Sequence, residues 1–134
     1  MEVTLAKSAG FCFGVKRAVD MVYEEAQKKE QVYTFGPIIH NEQVVTDLQK
    51  KGVAVLNSID ELKDLKEGTV IIRSHGVSKD VYDILQKENI RIVDATCPFV
   101  KKIHNIVKKH TEENENVVII GNAKHPEVEG IKGW

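Results

Sequence analysis

The chain has 134 residues, 42% hydrophobic and 29% charged, a balance that suits one small globular domain with a real core. Nineteen basic and 20 acidic side chains leave a formal charge of −1, which argues against a general nucleic-acid or membrane-surface binder. The start lacks a charged segment followed by an apolar run, and no stretch approaches the roughly 18 apolar residues of a membrane span, so a cytoplasmic protein with no membrane contact is expected.

In chain order, short β-branched runs alternate with helical stripes. Glu2–Ala6 is the first expected strand. Val15, Ala18, Val19, Val22, Tyr23 and Ala26 then recur at helical spacing. A strand at Gln31–Phe35 precedes a helix carrying Val44, Val45 and Leu48, with Gly52 suited to its C-terminal end. Val53–Leu56 is the next strand, and Ser58-Ile-Asp-Glu61 reads as a capping box opening a helix at Ile59–Leu65. A strand at Thr69–Arg73 leads to a helix capped by Ser78 and carrying Val81, Ile84 and Leu85. Arg91–Asp94 is followed by Pro98, in the first turn of a helix with Val100, Ile103 and Val107. Val117–Ile120 is the last expected strand. The alternation predicts an α/β fold with a mainly parallel sheet.

An internal repeat runs through this pattern. Cys12 and Cys97 are 85 residues apart, and so are His40 and His125. In that register Cys12-Phe-Gly-Val-Lys-Arg aligns with Cys97-Pro-Phe-Val-Lys-Lys, and His40-Asn-Glu42 with His125-Pro-Glu127. Similar α/β composition would reproduce the strands and helices, but not the reactive residues. The repeat divides the chain into a first α/β unit over residues 1–96 and the start of a second over residues 97–134, truncated near its middle. Residues 1–11 are expected as a leading strand that packs with a later unit.

Five reactive side chains follow expected strands: Cys12, His40, His75, Cys97 and His125. In open parallel sheets ligands bind at the carboxyl ends of strands, so the five can converge. Two cysteines are too few for a disulfide scaffold. Both precede a helix, where a thiol is shifted toward the metal-binding thiolate; the plain alternative is a pair of small buried hydrophobes. Their wide separation implies a site assembled by the fold with further ligands from elsewhere, an iron–sulfur or zinc site. The histidines can ligate metal, move protons or donate to phosphate, or be satisfied structural residues. Glu127 is a candidate proton donor, or simply a carboxylate favourable to a helix start. His104 and His110 fall inside a helix and read as ordinary solvated or locally satisfied positions.

Five pieces together resemble the LytB (IspH) reductase family: Ala9-Gly-Phe-Cys-Phe-Gly-Val-Lys-Arg-Ala18, Gly36-Pro-Ile-Ile-His-Asn41, Ser74-His-Gly-Val77, Asp94-Ala-Thr-Cys-Pro98 and His125-Pro-Glu-Val-Glu-Gly130. The resemblance covers essentially the whole chain. It implies a pseudo-symmetric α/β architecture in which each of three units gives one cysteine to a central [4Fe–4S] cluster with one open iron. The implied reaction is the reductive dehydroxylation of 4-hydroxy-3-methylbut-2-enyl diphosphate to isopentenyl and dimethylallyl diphosphate, a step of isoprenoid biosynthesis by the methylerythritol phosphate route, with electrons from a ferredoxin or flavodoxin. By this resemblance Cys12 and Cys97 are cluster ligands, and His40, His75 and His125 hold the diphosphate. His125 is also linked to proton delivery, and Glu127 relays protons to the leaving hydroxyl. Family chains are longer and carry a third cysteine, which this chain lacks. The isolated chain is therefore expected to hold no stable cluster and to have negligible reductase activity. Two other readings use the same residues: a zinc module built on Cys12, Cys97, His40 and His125, and a non-catalytic interaction domain with an exposed sheet edge.

Overall fold

The structure is a computed structural model that describes residues 1–28, 30–86 and 89–134. Helix α1 (Phe13–Ala26) leads into strand β1 (Val32–Phe35), helix α2 (Glu42–Lys50) and strand β2 (Val53–Leu56). Helix α3 (Ile59–Asp64), strand β3 (Glu67–Ile72), helix α4 (Lys79–Leu85) and strand β4 (Asn89–Asp94) follow, then helices α5 (Pro98–Glu112) and α6 (Pro126–Lys132). The strands form one parallel sheet in the order β2-β1-β3-β4. The expected parallel α/β fold is the one observed.

Each element follows from a local signal. Ser58 Oγ accepts the Glu61 N–H at 3.2 Å, and Glu61 reaches back to the Asn57 N–H at 2.9 Å, a capping arrangement displaced by one residue from the usual box. Asn41 Oδ1 accepts the Val44 N–H and starts α2. Ser78 stands at the start of α4, but its side chain makes no capping bond.

Strand β3 explains the two-sided core. Its side chains alternate between faces. Ile71 joins Ala18, Val19, Val22 and Leu48 beneath α1 and α2, whereas Val70 and Ile72 join Leu62, Val81 and Leu85 beneath α3 and α4. A strand covered on both faces reads as a continuous apolar run, as Val70-Ile-Ile72 does.

Two expected strands are absent. Residues 1–11 contain no strand, and Val3 and Leu5 are about four-fifths exposed. Val117–Ile120 is likewise irregular, with Val118 and Ile120 exposed. A strand must place its backbone groups on a neighbour, and neither segment has one among the described residues. The chain instead returns to the first sheet through α6. Trp134 Nε1 donates to the Val77 carbonyl at 3.0 Å, and the Lys79 N–H donates to the Gly133 carbonyl at 3.3 Å.

Candidate functional site

The functional side chains stand on a row of hydrogen bonds that extends the sheet past its strand ends. The Ala95 N–H donates to the Ile72 carbonyl at 3.0 Å. Ser74, buried, donates both its N–H and its hydroxyl to the Ile38 carbonyl, the latter at 3.1 Å. The Cys97 N–H donates to the Ser74 carbonyl at 2.9 Å. The turns after β1, β3 and β4, which carry His40, His75 and Cys97, are thus locked side by side. Sheet order decides this, because β3 lies between β1 and β4.

The three histidines meet. The rings of His40 and His75 are 4.7 Å apart between centroids, and those of His75 and His125 are 6.2 Å apart. His75 is the half-buried centre, with exposed His40 and His125 on either side. Burial first, and then the neighbouring charges of His40, Arg73 and His125, push its pKa down from 6.5 to about 4. His75 is therefore neutral at pH 7, with one ring N–H to donate. Its Nδ1 is buried without a partner. His125 caps α6, its Nδ1 accepting the Glu127 N–H at 3.2 Å. Glu127 is half-buried in the first turn of that helix. A cavity of about 470 Å³ opens beside His40 and the start of α2, lined by Pro37, Ile39, His40, Asn41, Glu42, Val45 and Thr46.

The cysteines are both free thiols at equivalent places, Cys12 at the start of α1 and Cys97 at the start of α5. Cys12 is exposed and Cys97 half-buried. Their turns touch. A methyl group on Gly14 would lie 2.5 Å from Cys97 Sγ, so only the missing side chain of Gly14 lets the second thiol in. Arg17 of α1 ties the same turns together by donating to the Thr96 carbonyl at 3.2 Å and the Asp94 carbonyl at 3.4 Å. Asp94 organises the approach to Cys97. Its carboxylate accepts the Thr96 N–H at 3.0 Å and Lys101 Nζ at 2.5 Å. Burial alone would raise its pKa, but these partners hold it below the ordinary carboxylate value.

The four residues weighed as a zinc site do not converge. Among the described residues the one close group of potential metal ligands is His110, Glu113 and Glu115 on the surface of α5 and just beyond it, and no three of Cys12, Cys97, His40 and His125 come that near one another. His40, His75 and His125 likewise form no such close group of three among the described residues.

Sequence reasoning missed two residues here. Arg73, packed over Gly36, is half-buried with Nε unpartnered and adds positive charge beside His75. Its signal was its place as the last residue of an expected strand. His104, expected to be solvated or locally satisfied, is 2% exposed and stacked on Trp134, with Nε2 unpartnered. Its signal was the spacing from Val100 and Val107, which share its buried face.

A family model described as "LytB protein" matches residues 3–134. The chain is 51% identical, over its whole length, to a 4-hydroxy-3-methylbut-2-enyl diphosphate reductase of Caldanaerobacter subterraneus subsp. tengcongensis, and covers 47% of that protein. It is 52% identical to the enzyme of the same name from Pelobacter propionicus, again covering 47% of it. A solved structure of (E)-4-hydroxy-3-methyl-but-2-enyl diphosphate reductase, described as the terminal enzyme of the non-mevalonate pathway, superposes with a TM-score of 0.80 at 45% identity, over 98% of this chain and 46% of that one. A solved structure of the E-1-hydroxy-2-methyl-but-2-enyl-4-diphosphate reductase from Plasmodium falciparum superposes with a TM-score of 0.85 at 33% identity, over 95% of this chain and 40% of that one. The chain spans about half the length of the curated relatives it matches.

Proposed function

The chain belongs to the LytB protein family, and on that premise we propose that it supplies the diphosphate-holding face and two of the three thiol ligands of a 4-hydroxy-3-methylbut-2-enyl diphosphate reductase. The observation that carries the reading is the meeting of His40, His75 and His125, from three separate turns, beside the row that ends in Cys97. Three imidazoles spread over two ring-to-ring steps match an anion with several oxygens better than a single metal ion.

The donor chemistry fits part of an iron–sulfur site. Cys12 and Cys97 are free thiols on touching helix starts, and they would hold two corners of a [4Fe–4S] cluster. When bound, that cluster supplies electrons and an open iron for the substrate hydroxyl. With two cysteines in the whole sequence, the chain alone does not complete the ligand set. Its own residues bind and orient. Neutral His75 donates one N–H to the diphosphate, and His40 and His125 flank it. Glu127, in the first turn of the helix that His125 caps, hands a proton to the leaving oxygen. Holding the anion away from the reacting carbon fixes the substrate's direction. The division at Cys97 into a unit of residues 1–96 and the start of another, a cytoplasmic setting, and a ferredoxin or flavodoxin as electron donor belong to the same proposal.

Titrating the chain with inorganic diphosphate while following the histidine ring signals by NMR tests the anion site. The expected result is saturable perturbation of all three rings, weakened at the two remaining rings in each single variant His40→Ala, His75→Ala and His125→Ala; unperturbed rings at saturating diphosphate count against the reading. Anaerobic reconstitution with iron and sulfide tests the cluster. No stable four-iron species and no turnover are expected of the isolated chain, and near-stoichiometric four-iron incorporation with turnover would show that expectation to be wrong.

A further inference from the structure

His104 is the most deeply buried of the ionisable side chains close to the histidine cluster, and no step above uses it. It lies on the inner face of α5 beside Val100 and Val107, 2% exposed. One side of its ring stacks on Trp134, with centroids 5.4 Å apart and planes inclined by 27°. Another side presses on Gly76: a methyl there would lie 2.5 Å from His104 Cε1 and 3.0 Å from Thr96 Cγ2. Gly76, at a φ of +72°, immediately follows His75. Gly130 of α6 packs on the backbone of Gly76 and Val77 from a further direction, and the Trp134 indole N–H holds the Val77 carbonyl. Within seven residues, α6 runs from the His125 cap to this contact.

His104 Nε2 is buried without a hydrogen-bond partner. A buried polar atom left unpaired costs stability, so hydrogen bonding at Nε2 does not account for the residue being there. What the ring supplies is a flat shape between a turn that admits no side chain and an indole. Burial pushes its pKa down, and the charged groups facing it, Asp94 and Lys101, pull in opposite directions. It therefore packs as a neutral ring at pH 7.

We propose that His104 is a positioning residue for the histidine cluster: wedged between Gly76 and Trp134, its ring fixes the turn that carries His75 relative to the helix that presents His125. The functional meaning of this rests on the diphosphate reading, but the positioning itself does not. His75 is the natural reporter, because its low pKa depends on how deeply that turn is seated.

The test follows the His75 ring by NMR across pH in the 134-residue chain and in three variants, with circular dichroism to establish that each is folded. Wild type and His104→Phe, which keeps a flat ring and removes both nitrogens, are expected to titrate His75 well below 6.5. His104→Ala is expected to raise that pKa by about one unit or more as water reaches the loosened turn. Trp134→Leu, which withdraws the support from the other side, is expected to raise it in the same direction, and carries the test if His104→Ala does not fold. An unmoved His75 titration in a folded His104→Ala or Trp134→Leu chain overturns the proposal, as does a His104→Phe chain that behaves like His104→Ala. Inorganic diphosphate added to the same samples separates the two readings. Absent binding to a wild type whose His75 titrates low removes the anion site and leaves the positioning role standing.

Discussion

Residues 12–49 and 97–134 share a register, yet they reach different degrees of order. Both open with a cysteine at a helix start, and both carry a histidine just before a helix. In the first segment the run Val32–Phe35 is a strand flanked on both sides by β2 and β3. In the second, the equivalent run Val117–Ile120 is irregular and exposed. The side chains are as β-prone in one as in the other, so the difference lies in neighbours. An apolar β-branched run becomes a strand only where other strands accept its hydrogen bonds and helices cover its faces.

The largest expected effect sets buried sheet against exposed run. Ile71→Ala, at a fully buried site, is expected to cost about 2–5 kcal/mol in chemical denaturation. Ile120→Ala is expected to stay within about 0.5 kcal/mol. Comparable losses at the two sites would mean that the second run is packed in solution after all.

A smaller effect sharpens the contrast at the thiols. In the shared register Gly14 corresponds to Phe99, which is 72% exposed. Gly14→Ala gains helix propensity worth about 1 kcal/mol but drives a methyl into Cys97 Sγ, so a net loss of about 1 kcal/mol is expected. Alkylation should also become faster at Cys97 as its sulfur is displaced outward. Phe99→Ala should change stability by less than about 0.5 kcal/mol. A stabilised Gly14→Ala chain with unaltered Cys97 reactivity would contradict the close approach of the two turns.

A third effect concerns pH and the turn after β3, which lies between the two segments in the chain. His75 titrates near 4 in the fold against 6.5 when free, and burial pushes His104 in the same direction. Between these values the unfolded chain binds more protons than the folded one, so stability falls as pH drops from about 6.5 toward 4 and is level above that window. Thermal melts at pH 7 and pH 5 should therefore differ, and less so in His75→Asn. An identical difference in that variant would show that His75 is not the group being charged.

Much of this was legible in the residues. Val53–Leu56 is the strand expected, and β1, β3 and β4 agree with their sequence signals to within two residues at either end. Those segments have apolar faces or caps that decide locally, as Ser58 and Asn41 do. The meeting of His40 and His75 was legible because strand ends share one side of a parallel sheet, whereas His125 joins them at the start of α6, after a run that forms no strand. What was hidden is what depends on partners. Glu2–Ala6 and Val117–Ile120 have strand-like composition without strand neighbours. The sheet order β2-β1-β3-β4 leaves no mark in any one segment. The polarity of His104 points to a solvated or locally satisfied helix position, whereas its spacing from Val100 and Val107 sets it on the buried stripe of α5.

The hydrogen-bonded row beyond the strand ends also works as a ruler with a direction. Adjacent strands stand about 4.8 Å apart, so the ends of β1, β3 and β4 mark out roughly 10 Å across the top of the sheet. Read along that line, the marks are imidazole at His40, imidazole at His75 and sulfur at Cys97. On the diphosphate reading proposed above, a molecule laid across them has its anionic end and its reactive end told apart by strand order alone, and it cannot lie the other way round without exchanging nitrogen for sulfur.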